Sequence, residues 1–144
     1  MNIQQRIEGF KNYLKANAPD MQVVAVVNED GSAKSQTGAA ATLLQAHPDL
    51  SLVYNTDDSG SAFIARILKD QGLIGKVKIV GTNALADQLP TLKNGEVYAN
   101  VTQDLYAEEW ISLHFLYWLH NKMTTVPDTC YGAAVVVNKD TLSK

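Results

Sequence analysis

Short apolar runs alternate with amphipathic helical segments along this chain. The spacing of apolar residues predicts helices at about 3–14, 35–46 and 61–71, and strands at 23–27, 52–55 and 77–80. Two parallel strands need a long connection between them, usually a helix, so this alternation is typical of a parallel sheet. The sequence therefore predicts an α/β fold with a doubly wound parallel sheet.

The second half of the chain departs from that regular order. The pattern there predicts a short helix at 87–93, a strand at 97–102, a long helix at 105–122 and a final strand at 133–137. At the other end the chain starts directly on an amphipathic helix, whereas a parallel lobe normally has a strand ahead of its first helix. We therefore expect the first strand of this sheet to be missing.

Size and composition restrict the kind of partner. A chain of 144 residues is long enough for one domain with a normal core. The net charge of −3 provides no extended basic surface for nucleic acid, and the sequence has no run of about 20 apolar residues for membrane insertion. Cys130 is the only cysteine, so an internal disulfide and a zinc cluster are both excluded. Small molecules are the expected partners.

Four sets of polar residues fall where predicted strands end. They are Asn28 to Asp30, Asp57 with Asp58, Thr82 with Asn83, and Gln103 with Asp104. Parallel strands place their carboxyl ends on one edge of the sheet, so the first three sets are expected there, and Arg6 lies near the start of a helix at that same edge. A guanidinium donates several hydrogen bonds, a carboxylate accepts two and an amide does both. Arg6, Asp57, Asn83 and Gln103 therefore suit a ring of vicinal hydroxyl groups.

Each of these residues also has a plainer interpretation. Asp57 and Asp58 are of a type that caps helices, and we assign Asp58 to the cap of the following helix and Asp57 to the ligand. Arg6 could be a solvated helix arginine, and Asn83 and Gln103 could be ordinary turn residues.

For catalysis the sequence offers little. His47 lies at a helix end, and His114 and His120 lie on the long helix with no cysteine or carboxylate at metal-ligand spacing. The sequence contains neither the phosphate-loop spacing with its lysine nor the three-glycine dinucleotide pattern. We therefore expect no enzyme activity, no metal and no cofactor.

Five short segments resemble those of a known family in their order and spacing. They are Arg6-Ile7-Glu8-Gly9-Phe10, Leu44-Gln45-Ala46-His47-Pro48-Asp49, Asn55-Thr56-Asp57-Asp58, Val80-Gly81-Thr82-Asn83 and Lys93-Asn94-Gly95-Glu96. Over nearly its whole length the chain resembles the C-terminal lobe of the type I periplasmic sugar-binding proteins of ABC importers, above all the ribose-binding members. LacI-type repressors share this lobe fold.

The resemblance places the family's ligand residues on Arg6, Asp57, Asn83 and Gln103, the four residues that the strand ends also indicate. Two features depart from the family. Its usual asparagine is Asp57 here and its usual aspartate is Asn83, so the carboxylate and the amide are exchanged. Near Gly31, moreover, this chain lacks the aromatic residue that stacks on the sugar in ribose-binding members. Hydroxyl binding is compatible with the exchange, and the identity of the sugar is left open.

The resemblance also implies a context in a whole protein. Residues 1–144 would form a single C-terminal lobe that binds a sugar or related polyol in the periplasm, for delivery to an ABC permease. The partner N-terminal lobe would be missing from the chain. The helix at 105–122 would belong against that lobe, so its apolar face implies contact with the missing lobe or self-association.

Two other functions stay open on the sequence alone. The effector-sensing half of a LacI-type transcription regulator shares the lobe. A phosphoacceptor domain of the response-regulator kind would use Asp57 as acceptor beside the acidic pair Glu29-Asp30, but this chain has no lysine at the strand end that such a domain requires.

Overall fold

The computed structural model describes residues 2–123, 125–128, 130 and 132–142. The helices are α1 (Asn2–Asn17), α2 (Ala33–Ala46), α3 (Gly60–Asp70), α4 (Leu89–Lys93) and α5 (Leu105–His120). The strands are β1 (Leu52–Tyr54), β2 (Lys78–Thr82), β3 (Ala99–Gln103) and β4 (Ala134–Val137). The predicted helices are therefore confirmed, as are the predicted strands from 52–55 onward.

These strands form one sheet in the order β1-β2-β3-β4. β1, β2 and β3 run parallel, as the alternation predicts, and β4 pairs antiparallel with β3. Since the first three strands are parallel, their carboxyl ends meet at one edge of the sheet. The predicted site residues that follow these strands lie at this edge.

Helices cover both faces of the sheet at β1. Val53 of β1 pairs in register with Ile79 of β2, and both pack into the core that α2 and α3 cover. Neighbouring residues of a strand point to opposite faces, and Tyr54 contacts Phe10 of α1 with ring centroids 4.6 Å apart. α1 therefore lies on the face opposite α2 and α3, which confirms the doubly wound arrangement.

The hydrophobic core lies between β2 and the helices α2 and α3. Its buried residues are Ala40, Leu44, Ile64, Ala65, Ile67, Leu68, Val77, Ile79, Leu92 and Val97. α3 contributes a continuous apolar face to this core. Gly72, which follows the C-cap residue Gln71, has a φ of 66°. The Gly72 N–H donates to Lys69 O at 3.1 Å and the Leu73 N–H to Leu68 O at 2.7 Å, which is the Schellman pattern. The predicted glycine cap is therefore confirmed.

The strand predicted at 23–27 is absent, and its valines are not buried. Val23, Val24, Val26 and Val27 are between 40% and 53% exposed. Residues 22–28 make no backbone hydrogen bond within the described part of the chain, and β1 pairs only with β2. The prediction was wrong because an apolar, β-branched run becomes a strand only where a second strand completes its ladder.

The long helix α5 has no buried residue. Its exposed apolar residues are Leu105, Tyr106, Trp110, Leu113, Leu116, Tyr117 and Leu119. They lie on one half of the helix, and the partly buried Ile111, Phe115 and Trp118 lie on the other half. Apolar residues therefore surround the helix, a composition that normally indicates a buried helix. Neither α5 nor any other described helix is long and apolar enough to cross a membrane.

Candidate ligand-binding site

Hydrogen bonds join polar residues at the carboxyl ends of β1, β2 and β3. Asn83 Nδ2 donates to Asp58 Oδ1 at 2.8 Å, and the Gln103 N–H donates to Asn83 Oδ1 at 3.3 Å. Asn83 thus bridges the polar segments that follow its two neighbouring strands. The structure brings these strand ends together as the sequence predicts, and their role in binding stays a prediction.

Asn83 is held in an unusual backbone conformation. Its φ is 58°, in the left-handed region that non-glycine residues seldom adopt and that asparagine tolerates better than most. The residue is 4% exposed. Its N–H donates to Val101 O at 2.9 Å, and its carbonyl oxygen accepts from Asn100 Nδ2 at 2.6 Å. Such conformations persist only where the surroundings enforce them, so Asn83 is more tightly fixed than an ordinary turn residue.

Asp58 does not cap α3, and the sequence interpretation was wrong on this point. Ser59 is the N-cap residue of α3, and no side chain accepts a capping hydrogen bond there. The Asp58 carboxylate accepts from Asn83 instead, and its backbone carbonyl accepts from Gln88 Nε2. The Asn83 amide is buried and cannot reach water, so it requires a partner within the protein. The carboxylate of Asp58 supplies that partner.

Arg6 joins α1 to the turn that follows β1. Its Nη1 donates to Thr56 O at 2.9 Å, and the side chain is partly buried. This bond is its only hydrogen bond within the described part of the chain, whereas a guanidinium carries five N–H groups. Arg6 therefore contacts the residue that precedes Asp57 and keeps further N–H groups without a partner among the described residues. It is not a freely solvated helix arginine.

Asp57 is held by a residue that the sequence analysis missed. Gln36 Nε2 donates to Asp57 Oδ2 at 2.5 Å, and Gln36 is 3% exposed. The other carboxylate oxygen, Oδ1, accepts no hydrogen bond from the described residues. One signal was available: Gln36, Ala40 and Leu44 recur at a spacing of four, so a glutamine sits on the buried face of α2.

The polar residues at 28–30 form a local turn at the start of α2. The Asp30 carboxylate accepts from the Ser32 N–H at 2.9 Å, and Ser32 Oγ caps α2 by accepting from the Ser35 N–H at 3.1 Å. The hydrogen bonds from Ser32 lower the pKa of Asp30, which is exposed. Among the described residues, this turn is linked to the other strand ends through Gln36, whose Nε2 lies 3.5 Å from Gly31 O and donates to Asp57.

A buried polar network lies behind Asn83, and no sequence pattern singles it out. Asn100, Gln88 and Ser61 are all fully buried. Asn100 Nδ2 lies 3.1 Å from Gln88 Oε1 and 3.3 Å from Ser61 Oγ. Gly81 leaves room for them, since a Cβ at that position would come within 2.5 Å of both Asn100 Oδ1 and Ser61 Cβ. The network ties the turn after β2 to the start of α3 and so positions Asn83.

Tyr54 lies at the end of β1 beside Arg6. Burial raises the pKa of its hydroxyl above the ordinary value of 10.0, and the positive charge of Arg6 acts in the opposite direction. The phenol therefore stays neutral at physiological pH. Among the described residues, no group of three His, Cys, Asp or Glu side chains could hold a metal ion.

The Asn83 amide explains why an aspartate would fit poorly at this position. In Asn83→Asp, a carboxylate would replace the Nδ2 that donates to Asp58 at 2.8 Å. We expect the free energy of unfolding to fall by about 1–2 kcal/mol at pH 7, since a hydrogen bond to a charged group is lost and repulsion from exposed Asp58 is partly screened. Urea denaturation at pH 7 measures this.

The double variant Asn83→Asp with Asp58→Asn is the control for that pair. It restores one donor and one acceptor with their positions reversed, so its stability at pH 7 should return towards that of the unaltered chain. Unchanged stability of Asn83→Asp, or no recovery in the double variant, would contradict the assigned contact.

A family model described as periplasmic binding protein domain matches residues 1–121. The chain belongs to this family. A curated relative of the domain, the D-ribose/D-allose-binding protein of Pseudomonas aeruginosa, is 30% identical over 102 residues. The match covers 71% of this chain and 31% of the relative.

Solved structures show the same periplasmic binding protein lobe. An ABC transporter solute-binding protein from Burkholderia graminis, in complex with D-arabinose, superposes with a TM-score of 0.90 at 24% identity, covering 99% of this chain and 50% of that one. AraP, an arabinose-binding protein from Geobacillus stearothermophilus, gives a TM-score of 0.86 at 27% identity, covering 97% and 51%. The resemblance to type I periplasmic sugar-binding proteins is confirmed, and the chain spans about half the length of these structures.

Proposed function

We propose that this chain forms one wall of a binding site for a sugar or a related polyol. The observation that carries the proposal is the hydrogen-bonded convergence of Asp58, Asn83 and Gln103 at the carboxyl edge of the sheet, with Arg6 and Asp57 beside them. The relatives named above bind ribose, allose or arabinose according to their names. Neither the LacI-type nor the phosphoacceptor alternative gains support from them.

In this proposal the four predicted residues make different hydrogen bonds with the ligand. Arg6 donates to ligand hydroxyls through the N–H groups that Thr56 does not occupy, and Asp57 accepts through Oδ1, since Gln36 occupies Oδ2. The Gln103 side-chain amide makes no hydrogen bond within the described residues and can both donate and accept. Asn83 Oδ1 accepts from the Gln103 N–H, and one N–H of Asn83 Nδ2 donates to Asp58. The second N–H of Nδ2 is left for a ligand.

The whole protein would then be a solute-binding protein of an ABC importer, with a binding function rather than an enzymatic one. A second lobe would supply the other wall, and the ligand would stabilise a closed form by hinge motion between the lobes. The location would be periplasmic and the protein partner an ABC permease. α5 would pack on the second lobe or, without it, on a second copy of the chain, because its apolar side chains are exposed.

A titration with sugars tests the proposed site in this chain. We expect a dissociation constant of about 1 mM or higher. One wall makes fewer contacts with the sugar than a complete site, so less binding energy is available to offset the cost of association. Amide chemical shifts measured by NMR with D-ribose, D-allose and D-arabinose should move at residues 56–58, 82–84 and 103. Micromolar affinity would show that the chain carries a complete site, and shifts confined to other residues would refute the proposed one.

A further inference from the structure

A cavity of about 190 Å³ separates residues 22–27 from β1. We name this cavity the edge slot. Its two long sides are residues 22–27 and 50–56, and most of its remaining lining comes from α1 and α2, with Ile64 of α3 also contributing. Apolar side chains supply much of the lining, including Phe10, Leu14 and Leu43. The slot therefore lies along the free edge of the sheet, between the helices that cover its two faces.

Both long sides of the edge slot carry unpaired backbone. Residues 22–28 make no backbone hydrogen bond within the described part of the chain. β1 has its partner β2 on one side and no described strand on the other. Unpaired N–H and C=O groups out of reach of water are costly. A purely apolar small molecule in the slot would leave these groups unsatisfied, whereas a peptide backbone would pair with them.

Two buried side-chain oxygens on the slot also lack donors. Gln36 Oε1 and Asn55 Oδ1 have no hydrogen-bond partner among the described residues. Both residues line the cavity, and Gln36 is 3% exposed. The amide nitrogen of Gln36 already donates to Asp57. Acceptors placed in this way call for N–H or O–H donors on the occupant.

The direction of the two sides specifies the occupant further. Residues 22–27 are connected to β1 by the helix α2, and a helical crossover of this kind joins parallel strands. A strand inserted between them would be an interior strand of a parallel sheet, covered by α1 on one face and by α2 on the other. Such strands are near-continuous runs of valine, isoleucine and leucine.

We propose that the edge slot binds an added β-strand: an extended peptide of about five consecutive apolar, β-branched residues that hydrogen-bonds to β1 on one side and to residues 22–27 on the other. Binding by strand addition takes affinity from main-chain hydrogen bonds and specificity from alternate side chains. Insertion would convert residues 23–27 from an exposed segment into a paired strand. This site is separate from the proposed sugar site and does not depend on it.

A peptide titration tests the edge slot. The probe is a blocked peptide with a Val-Ile-Val-Ile-Val centre and lysines at both ends for solubility. We expect saturable binding, slowed hydrogen exchange at the amides of residues 23–27 and 52–54, and a higher melting temperature. The matched control has N-methyl groups on its central amides, so it keeps the side chains and loses the donors. Equal effects of both peptides, or none from either, would overturn the proposal.

Two neighbouring proline variants sharpen the test. Successive N–H groups of a strand point to opposite sides, so only one of Val24→Pro and Ala25→Pro removes a donor that faces the slot. Neither residue donates a backbone hydrogen bond within the described chain, so both variants should keep the fold. We expect one of them to weaken peptide binding at least tenfold and the other to leave it nearly unchanged. Equal losses in both, or self-association through residues 23–27 in place of peptide binding, would contradict strand addition.

Discussion

At concentrations where the unaltered chain self-associates, Leu113→Lys combined with Leu116→Lys is expected to keep it monomeric. The two leucines are 64% and 65% exposed and lie three residues apart, which places them next to each other on the surface of α5. Burial of one leucine side chain contributes about 1.5–3 kcal/mol, and a lysine in its place brings a charge that is costly to bury. The dissociation constant, measured by sedimentation velocity over a range of concentrations, should rise at least tenfold.

The control for α5 changes the same number of exposed apolar residues elsewhere. Ile3→Lys combined with Tyr13→Lys does this on α1, where the two side chains are 45% and 66% exposed. Lysine is a good helix former, so neither pair should weaken its helix. An equal effect of the two pairs would mean that general charge, not α5, controls association. An unaltered chain that stays monomeric at every concentration would contradict the proposed role of this helix.

Features that depend on local sequence were predictable. α3 follows from the helical spacing of Ile64, Ile67 and Leu68, and its end follows from Gly72, whose φ of 66° suits glycine. Both signals are contained within a dozen residues, and the tertiary structure reinforces them, since the apolar face of α3 packs on β2. Local pattern and fold agree here, which is why the boundaries of this helix were predicted to within one residue.

The prediction of a strand at 23–27 was wrong because local pattern and fold disagree there. Its composition favours a strand, but a strand also requires a neighbour, and the described sheet ends at β1. Pairing is a property of two segments that are distant in sequence, so the pattern of one cannot supply it. The valines of this segment are strand-forming residues without a second strand beside them.

The site was also predictable only in part. Its location could be predicted from the general rule for parallel sheets, whereas the contacts within it could not. Whether Asp58 caps α3 or binds Asn83 depends on the burial of Asn83, and burial is set by the whole fold. Gln36 and Asn100 were not identified from the sequence, because a sequence does not distinguish a buried amide side chain from an exposed one. Only the helical spacing of Gln36 with Leu44 gave a hint of its position.

Removal of the Asp57 carboxylate is expected to weaken sugar binding at least tenfold. In Asp57→Ala, ligand hydroxyls lose an acceptor and Gln36 Nε2 loses its partner. An unpaired polar group of this kind costs about 1–3 kcal/mol, and tenfold corresponds to about 1.4 kcal/mol. Arg6→Ala should have an effect of similar size, since the guanidinium supplies the neighbouring donors. Chemical-shift titration with the best-binding of the three sugars measures both.

Matched substitutions separate ligand contact from general damage. Asp49→Ala and Arg66→Ala remove exposed residues of the same types away from the site, and they should leave the affinity unchanged. Asp57→Asn keeps an oxygen that can accept from Gln36 Nε2. It should therefore preserve the stability of the chain and retain part of the affinity that Asp57→Ala loses. If Asp57→Ala and Arg6→Ala bound sugar as tightly as the two controls, the carboxyl edge of this sheet would not be the sugar site.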